Sequence, residues 1–420
     1  MFRYLDISSY FHRVEFTFRS LRNRNFRLFF CGQAISLIGT YMQNLALGWL
    51  VFRLSGSALL LGVVGFAGQI PSLFLTPFAG VFADRLNRRK VFIATQSLSM
   101  CMSFALAALY LSGSIAVWHI VAISVVNGIS LAFDTPFRHA FLFEMVGERE
   151  LLQNAIALNS TLINSARFVG PTVGGVLVAL VGEGWCFLIN GFSFMAVIGS
   201  LLIMHVQPMN ANHQRKPIVR ELVDGLQYAY RVPAIRHLLM LVVGIGFLGM
   251  PFQNFMPVFA KDVLGGDSQT LGVLTGAIGV GSLLAAFYLA SRSSVQQVPN
   301  IVLVTSLIFG VGLTLFSLSS ALPLSLGLMF FTGLGMTAQF AATNTLLQHI
   351  VDDDMRGRIV SLYGMSFMGI TPLGSLLLGA ITPHAGVQLT FTVVGLLCLL
   401  TTLLFWRKLP TVRQAVERME

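Results

Sequence analysis

The chain is 420 residues long, with 55% apolar and only 10% charged residues, and its mean hydropathy is +0.77. A soluble globular domain carries about 25% charge, so that class is excluded and the chain reads as a polytopic membrane protein. The net charge of +10 does not mark a nucleic-acid binder, because the cations follow the membrane segments.

In chain order, residues 1–25 interleave Arg3, Arg13, Arg19, Arg22 and Arg24 with Phe2, Tyr4, Phe11, Phe16 and Phe18. They lack the uninterrupted apolar core of a cleavable signal and read either as an interfacial segment on the inner leaflet or as a basic arm. Hydropathy then predicts twelve spans of the roughly 20 residues a bilayer crossing needs. They fall near 26–52, 58–83, 89–112, 117–145, 153–181, 183–206, 234–260, 268–291, 298–319, 323–349, 357–383 and 386–407. The expected organisation is a six-helix bundle over 26–206, a cytoplasmic linker over 207–233 with a short amphipathic helix, a second bundle over 234–407 and a cytoplasmic tail over 408–420. Arg53, Lys261 and Arg167 apart, the 27 cations fall on the side of the amino terminus, so both termini are expected in the cytoplasm.

Gln43-Asn44 and Leu61-Gly62 recur as Gln253-Asn254 and Leu271-Gly272, both at an offset of 210. In register with the helix count, this predicts a parallel repeat with substrate held between two halves near mid-bilayer.

The densest charge is Gly80-Val81-Phe82-Ala83-Asp84-Arg85-Leu86-Asn87-Arg88-Arg89-Lys90. So polar a run must be a turn between the second and third spans. Gly80 permits close helix approach, Asp84 suits a helix amino terminus, and Arg85, Arg88 and Arg89 suit carboxylates. Glu144 is the expected partner of Arg88 or Arg89. With Asp354, Arg356 and Arg358 of the second half, these groups are expected to form a cytoplasmic latch; a merely topogenic basic loop is the alternative. The pattern resembles the loop between the second and third helices of major facilitator superfamily transporters. The block from Asp134-Thr135-Pro136-Phe137-Arg138 to Arg167-Phe168-Val169-Gly170-Pro171-Thr172-Val173-Gly174-Gly175, with Arg356-Gly357-Arg358, is similar to the enterobactin exporter and putative transmembrane secretion effector branch. That resemblance implies an all-α fold of twelve transmembrane helices in two pseudo-symmetric bundles, no enzymatic activity, a bacterial inner membrane location and function as a monomer. The Gly170-Pro171-x-x-Gly174-Gly175 run resembles that of drug/proton antiporters and favours export, ordinary glycine-rich helix packing being the other reading.

Asp134 and Arg167 are costly charges within spans. Arg138 follows Asp134 by one helical turn. The expectation is that Asp134 exchanges a proton while Arg138 or Arg167 holds it ionised between turnovers; a permanent structural salt bridge is the competing reading. Spans one, four, seven and ten contribute Gln33, Gln43, Asn44, Asn127, Phe252, Gln253, Asn254, Gln339, Phe340 and Asn344 as candidate cavity residues, suited to a bulky, partly polar ligand. The four cysteines lie singly in apolar spans, and no G-x-x-x-x-G-K-[ST] run occurs. No metal or cofactor is expected, and energy is expected from a proton gradient. The expected partners are a small-molecule substrate and membrane lipids, without nucleic acid. The function so read is proton-coupled export of amphipathic small molecules, siderophore-like or drug-like, by alternating access; import of a nutrient or iron chelate, lipid flipping and a non-transporting receptor are the alternatives.

Overall fold

The computed structural model describes residues 19–82, 86–146, 149–206, 218–292 and 294–418. Among them, twelve helices are long and apolar enough to cross a membrane. These are α1 (Arg24–Ser55), α2 (Ala58–Phe82), α3 (Arg88–Leu111), α4 (Val117–Val146), α5 (Arg149–Val181), α6 (Glu183–Ile203), α7 (Pro233–Val263), α8 (Ser268–Ala290), α9 (Val298–Leu318), α10 (Leu322–Ile350), α11 (Asp353–Ala385) and α12 (Val387–Trp406).

Helix boundaries follow local chemistry. The side chains of Asn23 and Asn87 cap the first amides of α1 and α3, and Asp267 forms a capping box with Thr270 at the start of α8. The tight pairs α5/α6 and α11/α12 each turn on a glycine with positive φ, Gly182 at 87° and Gly386 at 80°, a backbone that other residues resist. Predicted as one helix, α7 is instead broken by a 3-10 turn at Met250–Phe255 and a π turn at Phe259–Val263. Pro251 and Pro257 remove amide donors there, so a regular ladder cannot continue.

The packing repeats between halves. In the first half, α1 packs on α5 and α6, α2 on α4, and α3 on α4 and α6; α7 on α11 and α12, α8 on α10, and α9 on α10 and α12 reproduce that pattern. In the first half Phe26, Phe29, Phe92 and Phe141 form a ladder with successive ring centroids 6.3 Å apart. In the second, Phe252 meets Phe309, Phe255 meets Phe391 and Phe259 meets Phe316. Such pairs contribute about 0.5–1.5 kcal/mol each beyond burial.

The linker helix (Ile218–Arg231) lies against the start of α11. Its small face, Gly225 and Ala229, points inward, while Val223, Leu226 and Tyr230 are exposed. The Tyr228 hydroxyl donates to Asp352 at 2.9 Å, and burial raises its pKa, keeping the donor proton in place. The tail is more ordered than its composition announces: a helix at Leu409–Glu417 buries Leu409, Val412 and Val416. Residues 1–18, read above as an interfacial segment or basic arm, lie outside the described residues.

Candidate transport pathway between the two halves

The halves meet along two seams, α2 with α11 and α5 with α8. Both are built on glycine because the backbones touch. A Cβ at Gly62 would lie 2.5 Å from the Ser375 carbonyl oxygen and 3.0 Å from the Gly379 Cα; one at Gly175 would lie 2.6 Å from the Ser268 carbonyl oxygen and 2.8 Å from the Gly272 Cα. Gly62 and Gly272, paired by the 210-residue repeat, thus make equivalent contacts. The Ser268 hydroxyl donates to the Gly175 carbonyl at 3.1 Å. At the same end, the Lys261 ammonium lies 5.6 Å from the Phe52 ring centre across the halves. The seams close the molecule toward the end remote from both termini, extending inward to Leu73 against Gly369 and Phe168 against Gly279.

At the terminal end the described polar contacts lie within one half. Arg88 donates to Glu144 at 3.0 Å, a nearly buried pair joining α3 to α4. Arg89 caps α6, donating to the Leu201 and Leu202 carbonyls at 2.7 and 2.9 Å, a favourable place for a cation. In the second half Arg356 pairs with Asp353 at 2.6 Å, Arg358 lies 3.5 Å from Asp224 of the linker helix, and Asp354 is exposed. Among the described residues no contact of the expected latch joins the halves: Glu144 meets Arg88 as expected, but inside the first bundle. Gly80 lies in α2 close to its end, and Asp84 and Arg85 lie outside the described residues.

Asp134 is 8% exposed between α3 and α4. It accepts from Gln96 Nε2 at 2.6 Å and Thr95 Oγ1 at 3.3 Å, with Arg138 Nε at 3.8 Å. The i,i+4 pair is present as the sequence indicated, but at that distance Arg138 acts through charge and the hydrogen bonds come from α3. Gln96 and Thr95 were not singled out, since nothing local to α3 shows which acid it faces. Arg167 stands apart from this cluster, its guanidinium 5.9 Å from the Tyr41 ring centre on α1.

The antiporter-like run serves two neighbours. Gly170 and Gly174 admit Tyr41 and Met42 of α1, whereas Gly175 admits α8; Pro171 is buried within an unbroken α5.

Among the cavity candidates, Asn44 is exposed one turn from Gly48, which faces Pro257 of the other half. Asn127 and Asn344 each bury an amide oxygen that has no partner among the described residues, as Gln33 does its amide nitrogen. Gln253 donates to the Met336 sulfur at 3.2 Å and Asn254 to Ser375 at 2.9 Å beside the α2 seam. Other candidates pack between helices instead of lining a path. Gln43 accepts from Asn190 of α6 at 2.9 Å. Phe252 and Gln339 are 0% exposed, because the broken α7 and small-residue-rich α10 draw them into the second bundle. The Phe340 ring meets that of Phe367 at a tilt of 58°, with centroids 4.4 Å apart.

A cluster the sequence reading did not assemble lies at the remote end. Glu183 is 2% exposed and takes bonds from Arg53 at 2.8 and 3.0 Å and from the Tyr110 hydroxyl at 2.7 Å, tying α1, α3 and α6. Its sequence signal was a lone acid between apolar spans, with Arg53 and Tyr110 at the same depth.

Comparison with known proteins agrees with this architecture. A sequence model described as transmembrane secretion effector matches residues 16–419. The chain is 25% identical over 387 residues to the staphyloferrin A transporter of Staphylococcus aureus, covering 90% of this chain and 95% of that one. It is 26% identical over 370 residues to the multidrug efflux pump Tap of Mycolicibacterium fortuitum, covering 86% and 90%. A crystal structure of the nucleoside transporter NupG superposes with a TM-score of 0.71 at 14% identity, covering 91% of this chain and 99% of that one. Fold, seams and family match converge: the chain belongs to the transmembrane secretion effector family of major facilitator superfamily transporters.

Proposed function

We propose that the protein is a proton-coupled exporter of amphipathic small molecules, siderophore-like or drug-like, working by alternating access as a monomer in a bacterial inner membrane. The observation that carries this reading is the asymmetry of the interface. Both seams are shut toward the end remote from the termini, while charged groups at the terminal end pair within their own halves. With the cation-rich terminal end in the cytoplasm, the arrangement is one that receives substrate from inside. The relative named as a staphyloferrin A transporter supports the siderophore-like class, and the one named as a multidrug efflux pump supports the drug-like class and the outward direction. Asp134 is the proposed coupling acid: losing its charge on protonation releases Arg138 and weakens the bonds from Gln96 and Thr95, loosening α3 from α4.

The test is reconstitution into vesicles with an imposed pH gradient, assayed with iron-free siderophores and cationic dyes in both directions. Movement against the substrate gradient driven by counterflowing protons is expected. Transport indifferent to the pH gradient refutes the coupling, and proton-driven movement only toward the compartment facing the termini refutes export.

A further inference from the structure

We infer that Arg167 is the anchor for an oxyanion, a carboxylate or phosphate group, carried by the transported molecule; the inference rests on the transport reading and specifies its substrate class. Arg167 is half-buried, and its one described interaction is with the Tyr41 ring face. Among the described residues it has no ion-pair or hydrogen-bond partner for its guanidinium. The three first-bundle acids with described side chains are committed elsewhere: Asp134 to Gln96, Thr95 and Arg138, Glu144 to Arg88, and Glu183 to Arg53 and Tyr110. A guanidinium cannot shed its charge, and at mid-membrane it is retained only where water or a counter-anion meets it.

The helix that carries it shows which side that is. Gln153, Ser160, Asn164 and Arg167 recur at helical spacing, a polar stripe from the terminal end of α5 to mid-span, with Gln153 and Ser160 exposed. Along the stripe the opposite positions, Ala155, Leu158, Leu162 and Ala166, are buried in the first bundle, and the exposed apolar residues Val173, Val176 and Leu180 follow only beyond it, on the remote half of α5. A polar stripe on the face of a spanning helix turned away from its bundle's packing borders an aqueous path. On the stripe's side, one residue beyond Arg167, the α5/α8 seam closes with Phe168 against Gly279 and continues through Thr172 against Gly276 to Gly175. Arg167 is thus the last polar group before the closed seam, at the inner limit of the route open from the terminal end. An entering anion would travel past neutral amides and hydroxyls and stop at a fork of donors suited to bidentate binding. Pro171 adds a backbone device: it leaves the Arg167 carbonyl without its intrahelical donor, and that carbonyl faces the bare Gly279. Occupancy of the side chain and closure of the seam thus share one residue.

The experiment is equilibrium titration of the purified full-length protein in detergent with 2-naphthoate, 2-naphthyl phosphate and the uncharged 2-naphthamide, without any gradient. The wild-type protein is expected to prefer naphthoate to naphthamide by about tenfold, the size of one charge-assisted contact. Arg167→Gln should abolish the preference, Arg167→Lys should keep part of it, and naphthamide affinity should be the same in all three. A carboxylate-selective site excludes the naphthyl phosphate and a general oxyanion site holds both, either result agreeing with the inference. A wild-type protein without the charge preference overturns it, as does a preference that survives in a folded Arg167→Gln. Because binding is read without a gradient, failure here is separable from failure of coupled transport in vesicles. If Arg167→Gln does not fold, the wild-type preference and the Arg167→Lys titration still decide.

Discussion

The two halves share one packing scheme and differ in chemistry. The first buries Asp134 and Glu183 and carries Arg138 and Arg167 within its helices. The second has no Asp, Glu, Lys or Arg in α9, α10 or α12, and its core is built from rings around α7. A duplicated scaffold has thus kept shape in both copies and concentrated charge in one. The lesson is that symmetry predicts the seams, not the site. On the proposed reading, a transporter with its working charges in one half would read a ligand or a proton there and use the other half as a shaped wall.

The largest expected effect comes from Asp134. Asp134→Asn should lower proton-driven transport by about tenfold or more and flatten its pH profile, a difference of at least ~1.4 kcal/mol, read in vesicles at several pH values. An unshifted profile with retained transport would place the coupling elsewhere and remove the contrast between the halves. Next is Glu183→Ala, which leaves Tyr110 and Arg53 without their acceptor. With Arg53 partly solvated, destabilisation of about 1–3 kcal/mol is expected from thermal melts in detergent, and Glu183→Gln should recover part of it.

The seams supply a comparison across the repeat. Gly62→Ala and Gly272→Ala should each cost about 1–3 kcal/mol by overpacking, and their similarity is the point: unequal slowing of transport by the two would mean the seams do not work as equivalents. Charge reversal of Glu144 to Lys should impair transport, with partial rescue by Arg88→Glu and a coupling of about 1 kcal/mol in the double-mutant cycle. Smallest of all, Asp353→Ala removes an exposed pair with Arg356 and should leave transport and melting unchanged.

The spans and the Asp134–Arg138 and Arg88–Glu144 pairs were legible in the sequence. Each depends on hydropathy, on one helix face, or on charges flanking a short loop. Contacts between distant helices were not. Gln43 looks like a cavity amide until Asn190, 147 residues later, is seen to donate to it, and Phe252 looks like a ligand-stacking ring until Phe309 packs against its edge. Helix rotation decides between lining and packing, and in membranes that rotation is set by neighbours, because lipid gives an apolar side chain little reason to turn inward. Gln96 shows the same limit: its role is defined by an acid on another helix.

The one-residue turns at Gly182 and Gly386 have a mechanical consequence. Each clamps a seam helix, α5 or α11, to the helix behind it with almost no slack. At its head α6 is riveted to α1 and α3 through Glu183, and farther along through Asn190, so torque applied to α5 is delivered to the whole first bundle instead of dissipating in a loop. In the proposed alternating-access cycle the bundle would act as a stiff lever whose fulcrum is the glycine seam. A flexible insertion after Gly182 would give that lever play, leaving binding intact while the stroke is lost.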